Sequence, residues 1–155
     1  MAASSTPRQL RDALRSLVVT HGGLEETKRP CGAELSAPHA YALLELLSAE
    51  QPLTVSQLAE RLLIDRTNVS RLCARMEDDD ELRRELDPSD ARAWRMQLTA
   101  KGKKLARRVD ARSAEHFARV QAELPDTAPQ VLEALRQLTD AMRRSAATKT
   151  PASKE

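Results

Sequence analysis

The chain has 155 residues, a formal net charge of +2, 41% hydrophobic and 31% charged residues, which suits one domain around one main core. With aromatics at 2% and four glycines, that core has to be built from Leu, Val, Ala and Met, and extensive β structure is disfavoured. Two cysteines make no disulfide framework, no apolar run approaches the ~20 residues that span a bilayer, and no signal-peptide layout opens the chain, so a reduced, cytoplasmic protein with no membrane span is expected.

Met1 to Thr6 is small and polar and is expected to fray. From Pro7, Leu10, Leu14, Leu17, Val18 and His21 repeat at helical spacing, and Gly22-Gly23 ends the run. Glu25 to Glu34 is a polar connection that carries Pro30, Cys31 and Gly32. Ser36 suits an N-cap and Pro38 a first turn, while Leu43, Leu44, Leu46 and Leu47 make the next helix apolar over a wide face. Gln51-Pro52 breaks that helix. Thr54, with Gln57 three residues on, predicts a capping box and a short helix with Val55, Leu58, Ala59 and Leu62 inward. After a turn through Leu63 and Ile64, Asp65 caps a helix running to about Asp78. Two short helices joined by a tight turn form a helix-turn-helix.

Leu82 to Leu86 predicts a strand, and Asp87-Pro88-Ser89-Asp90 a turn. Trp94, Met96 and Leu98 alternate with Arg95 and Gln97, which predicts a second strand. A two-stranded ribbon directly after a helix-turn-helix is a wing. Thr99 caps a long helix carrying Leu105, Val109, Phe117, Val120 and Leu124, and Pro125 stops it. A last helix bears Val131, Leu135, Leu138 and Met142 in a narrow stripe, the seam of a helix that pairs with another helix. The polar tail is expected to be disordered.

The helix capped by Asp65 carries the chemistry. At about 100° per residue, Val69, Leu72, Cys73 and Met76 share the face that packs inward. The opposite face is centred on Thr67, Arg71 and Ala74, flanked by Asn68, Ser70 and Arg75, and is compact enough for a major groove about 12 Å wide. Arg can bond a guanine edge bidentately, Asn an adenine edge, and Thr a thymine methyl. Arg66 lies near the helix N-terminus, where N–H groups also favour phosphate. Ser56 and Gln57, at the start of the preceding helix, are placed to hold the duplex backbone. Most soluble helices have a polar face, so the order helix, helix, ribbon is the more specific signal.

Two stretches carry a family resemblance. LTVSQLAERLLIDRTNVSRL, from Leu53 to Leu72, resembles the helix-turn-helix of the multiple antibiotic resistance regulator (MarR) family of transcription factors. DPSDARAWRMQLTAKG, from Asp87 to Gly102, resembles that family's wing: Asp-Pro-x-Asp, then Arg, then Leu-Thr and a basic helix start. The likeness is detailed from about Leu35 to Arg107. It implies a mainly α fold with a two-stranded β wing and a dimer joined through the first helix and the last two. The domains then read as a dimerisation helix and connection over 1–34 and a winged helix-turn-helix over 35–99. Dimerisation helices follow over 100–147, with a disordered tail over 148–155. The resemblance also implies that Arg92 enters the minor groove, oriented by Asp90, and that small effectors bind a cleft between the lobes. The negative potential of a narrow minor groove gives such an arginine a physical reason as well.

One segment departs from the family's pattern. Glu77 to Glu81 is five acidic residues, with Asp80 and Glu81 where a Gly and an apolar residue are usual. The family's Gly would supply a left-handed turn, which Asp80 tolerates better than most residues, and Glu81 costs the wing an apolar anchor; the carboxylates either face DNA and repel it or lie at the helix C-terminus on the side away from it, where they still oppose the dipole. Arg61, Arg66, Arg71, Arg75, Arg92 and Arg95 have to be segregated from them for binding to work.

Cys31 is weighed as an oxidant-sensing thiol against an incidental one, and Cys73 as a small core residue. His39 and Tyr41 are candidates for the effector cleft, with a solvent-facing role the alternative for His39. The three histidines share no metal-ligand spacing, and no nucleophile–base set or phosphate loop is present, so no metal, no cofactor and no enzyme are expected. The function expected is a homodimeric DNA-binding transcriptional repressor on a pseudo-palindromic operator with half-sites about one turn apart, released by a small molecule. The alternative is a winged-helix protein-interaction module without DNA binding, which the acidic run favours.

Overall fold

The computed structural model describes residues 6–21, 35–88, 90–124 and 126–147, with the backbone alone for Ala91, Arg92 and Ala147. Cys31 and its connection, Ser89, Pro125 and the tail over 148–155 lie outside the described residues. The elements are α1 (Thr6–Thr20), α2 (Ala37–Ser48), β1 (Leu53–Thr54), α3 (Val55–Leu62), α4 (Arg66–Asp78), β2 (Leu82–Asp87), β3 (Asp90–Leu98), α5 (Ala100–Ala122) and α6 (Ala128–Ala147). They fall into two compact units, one up to His116 and the other from Phe117. Among the described residues no helix is long and apolar enough to cross a membrane.

Local chemistry sets the helix ends in the first unit. Ser36 Oγ accepts from the His39 N–H at 3.3 Å and starts α2, whose Ala42 and Leu43 are fully buried. At α3 the capping box is complete: Thr54 Oγ1 accepts from Gln57 N–H at 3.2 Å, and Gln57 Oε1 accepts from Thr54 N–H at 2.9 Å. Leu63 ends α3 in the left-handed region, φ 54°, and its N–H reaches back to the carbonyls of Ala59 and Glu60. That conformation is costly for a non-glycine residue but makes the turn to α4 tight.

The expected ribbon is present as β2 and β3, antiparallel from Leu82↔Leu98 to Leu86↔Trp94, with an irregularity between Leu86 and Asp87. A third strand joins it, giving the order β1-β3-β2. β1 is only Leu53–Thr54, paired with Met96 and Arg95. It forms because the residues entering the Thr54 cap are extended and meet the other edge of β3. Met96 and Leu98 from the sheet join Leu43, Leu58, Val69 and Met76 in the core.

The acidic run closes α4. Glu81 N–H donates to Met76 O at 2.8 Å and Asp80 N–H to Glu77 O at 3.0 Å, with Asp80 at φ 56°. These paired bonds are a Schellman closure with Asp in the place glycine usually takes. The short polar side chain of Asp tolerates this left-handed turn.

The next connection locks onto the same turn. Thr99 N–H donates to Glu81 O at 3.0 Å, and Thr99 Oγ1 donates to Asp80 O at 2.7 Å. The same hydroxyl oxygen accepts from Gly102 N–H at 3.0 Å and starts α5. α5 passes so close that a Cβ on Gly102 would sit 1.9 Å from Glu81 O.

α1 and α6 bury no residue among those described. Leu10, Leu17, Val18 and Val19 on α1, and Val131, Leu132, Leu135 and Met142 on α6, are all substantially exposed. His21, just past α1, has its ring 6.4 Å from that of His116 on α5, although the two are far apart in sequence.

In an open helix position Gly→Ala stabilises by up to about 1 kcal/mol. Here the sign is reversed: Gly102→Ala is expected to destabilise by about 2–4 kcal/mol, because the obstacle is backbone and cannot swing aside. Urea unfolding of the parent and the variant measures this, and a Gly102→Ala variant as stable as the parent contradicts the close approach.

Candidate nucleic-acid interface

α4 is held on one side and bare on the other. Asp65 Oδ1 accepts from Thr67 N–H at 2.8 Å and caps its start. Val69, Leu72, Cys73 and Met76 are buried, the face expected from the helical angle. Arg66, Thr67, Asn68, Ser70, Arg71 and Arg75 are exposed, and Ala74 is half-buried. Burial pushes the Cys73 thiol up to about 11, with the Arg84 guanidinium opposing and the Glu77 carboxylate adding to the rise. At neutral pH it is a protonated packing group.

The arginines divide into two sets. Arg61 lies 3.4 Å from Glu45, Arg83 3.0 Å from Glu85, Arg84 2.8 Å from Glu77 and Arg95 2.6 Å from Asp87. Arg66, Arg71 and Arg75 make no ion pair among the described residues. Two of the six basic residues weighed for DNA, Arg61 and Arg95, are thus already neutralised. The exposed face of α4 keeps its charge.

Two of the five acidic residues are spent inside the protein. Glu77 holds Arg84 and so ties β2 to α4. Glu81 is 6% exposed. Asp78, Asp79 and Asp80 are exposed at the C-terminal end of α4, ~18 Å along the axis from Arg66.

The other predicted residues are distributed around this helix. Ser56 and Arg66 line one shallow concavity of about 460 Å³ beside the α3–α4 turn, with Leu63 and Ile64. Gln57 is exposed with its side-chain oxygen committed to the cap, which leaves its amide nitrogen for an outside acceptor. Asp90 begins β3 and is exposed. Arg92 lies two residues on in the same strand, with its side chain outside the described residues.

His39 does not face solvent. Its Nε2 lies 2.6 Å from Glu81 Oε2, and the two side chains are 14% and 8% exposed. The reason is Glu81: a carboxylate standing in place of an apolar anchor cannot be buried unpaired, and the first turn of α2 supplies the imidazole. Tyr41 is exposed on α2 and, two residues on, points elsewhere from His39. The structure does not bring these two effector candidates together. Among the described residues no group of three or more metal-ligating side chains occurs.

Sequence reading missed three contacts: His39–Glu81, Glu77–Arg84 and Asp87–Arg95. The excess of carboxylates around the wing was the available signal, since buried ones demand partners. His39→Ala leaves the Glu81 carboxylate buried alone and is expected to cost about 2–3 kcal/mol. Adding Glu81→Leu to that variant is expected to recover most of the loss, because both polar partners are then gone. Denaturant unfolding of the two single variants and the double variant gives the cycle. Simple additivity of the two changes contradicts the pairing.

A family model described as MarR family matches residues 34–93. An uncharacterised HTH-type transcriptional regulator of Bacillus subtilis (strain 168), YkoM, is 33% identical over 100 residues. That match covers 64% of this chain and 65% of the relative, so the chain spans just under two thirds of that protein's length. A MarR family protein from Bacillus stearothermophilus has a similar structure, with a TM-score of 0.72 and 25% identity over 92% of this chain and 99% of that one. Streptococcus pneumoniae FabT, solved in complex with DNA, shares the fold with a TM-score of 0.67 at 18% identity, over 92% of this chain and 99% of its own. The helix-turn-helix with the ribbon behind it is thus similar, over residues 34–93, to the MarR family model, and the fold is similar to that of a solved MarR family protein.

Proposed function

We propose that this protein is a DNA-binding transcriptional regulator, acting as a homodimeric repressor whose two copies of α4 enter adjacent major grooves of a pseudo-palindromic operator. The observation that carries the reading is the exposed face of α4. Arg66, Arg71 and Arg75 keep unpaired charge there while the arginines of α3, β2 and β3 for which pairs are described are neutralised within the protein. Thr67, Asn68 and Ser70 lie among them, and the buried side of the helix is fixed in the core. Fixed cations beside base-reading donors are what a duplex recognises: phosphates bring affinity and base edges bring choice. The similarity to a relative named as a transcriptional regulator, and to FabT with its DNA, supports the same reading.

The remaining parts follow from it. Ser56 and Gln57 hold backbone phosphates, and Arg92, set by Asp90, enters the minor groove from the wing. The apolar rows left exposed on α1 and α6 are covered by a second copy, which spaces the half-sites about one helical turn apart. An effector releases DNA only if it binds the non-fitting arrangement of the dimer more tightly. Tyr41 remains a candidate to meet it, since His39 is engaged by Glu81. Against the alternative of a protein-interaction module stands the internal pairing of Glu77 and Glu81, while Asp78, Asp79 and Asp80 stay exposed beyond the basic face of α4.

Fluorescence anisotropy with a labelled duplex from the DNA upstream of its own gene tests this. A complex is expected that weakens steeply as salt is raised. Arg71→Ala and Arg75→Ala are each expected to weaken it about tenfold, with no change in thermal midpoint. No complex, or affinity indifferent to salt and to both arginines, contradicts the reading.

A further inference from the structure

Strand alternation puts Leu82, Arg84 and Leu86 on one face of the ribbon, opposite Leu98, Met96 and Trp94. Leu82, Met96 and Leu98 are buried, so this face looks into the core. The Arg84–Glu77 pair at 2.8 Å sets it against α4. The next rung outward, Leu86 opposite Trp94, faces the same way with no core beneath it. The two residues are 55% and 49% exposed. A large apolar cross-strand pair therefore stands one rung beyond the contact with α4, on the side of the ribbon that α4 also occupies.

We infer that Trp94, backed by Leu86, is a DNA-backbone contact. The inference rests on the reading above that α4 lies in a major groove and the ribbon tip in the neighbouring minor groove. The strand that separates those grooves then has to pass between helix and ribbon, over this rung. A sugar–phosphate strand suits the chemistry of the pair. Deoxyribose presents C–H surface to the indole ring, and a phosphate oxygen accepts from the indole N–H, which can only donate. The uncompensated Arg66, Arg71 and Arg75 draw a polyanion to this side of the molecule. The polar pair Arg95–Asp87 belongs to the opposite face of the ribbon and does not compete. Contact with the backbone carries no sequence information, so it adds affinity and register without choosing bases.

The chain holds a single tryptophan, so its emission reports on this rung alone. The full-length protein is titrated with two fluorescein-labelled duplexes, one from the DNA upstream of its gene and one of random sequence. Anisotropy reports the complex and Trp94 emission reports the contact. Emission is expected to change with the same midpoint as anisotropy. Trp94→Ala is expected to weaken both duplexes about five-fold, and Trp94→Phe by less than about two-fold, at unchanged thermal midpoint. A complex seen by anisotropy with emission unmoved overturns the contact and leaves DNA binding standing. An emission change that follows protein concentration without DNA puts a second copy on the rung and overturns it too. No complex at all overturns both readings.

Discussion

The carbonyl oxygen of Glu81 has α5 so close that only a glycine fits opposite it, at Gly102. The same residue accepts from Thr99 N–H, donates to Met76 O to close α4, and pairs its side chain with His39 on α2. Four elements thus meet at one amino acid: the end of α4, the start of the ribbon, the start of α5 and the first turn of α2. The arrangement of the helix-turn-helix and the ribbon depends on this junction. The sheet on its own is thin, with a first strand of two residues.

The junction also resolves the conflict of charge in this region. Five consecutive carboxylates next to a helix proposed to read DNA look self-defeating, since they oppose both the helix dipole and a phosphate backbone. Two of the five act as internal partners, Glu77 for Arg84 and Glu81 for His39. The other three sit at the end of α4 remote from Arg66. What faces outward from the first turns of α4 is therefore basic and polar, and its geometry relative to the ribbon is set by backbone hydrogen bonds. A binding surface held in this way has little conformational freedom to lose on meeting a duplex.

Features decided by neighbours in sequence were legible in advance. The Ser36 and Asp65 caps, the Thr54–Gln57 box and the inward face of α4 each depend on residues within a turn of one another. The left-handed turn at Asp80 was legible only through the family resemblance, which places a glycine there. Three things were not. β1 is too short to show periodicity, and Leu53–Thr54 reads as the approach to a helix. The His39–Glu81 pair joins residues 42 apart, and no local pattern announces it. The outer limit of the core is also invisible in sequence. Trp94 alternates with Met96 and Leu98 as if buried like them, but the core ends one rung short of it.

Native-state amide hydrogen exchange tests the junction most directly. If Glu81 ties helix, ribbon and α5 into one unit, the amides of Glu81, Thr99 and Gly102 exchange only through the same global opening that frees Leu43 in the middle of α2. Equal free energies of opening for all four are the result expected. Exchange at Thr99 and Gly102 through an opening of much lower free energy than at Leu43 would show that the ribbon and α5 detach while the helices stay folded. That result would contradict the junction as the constraint that positions the proposed DNA-reading surface.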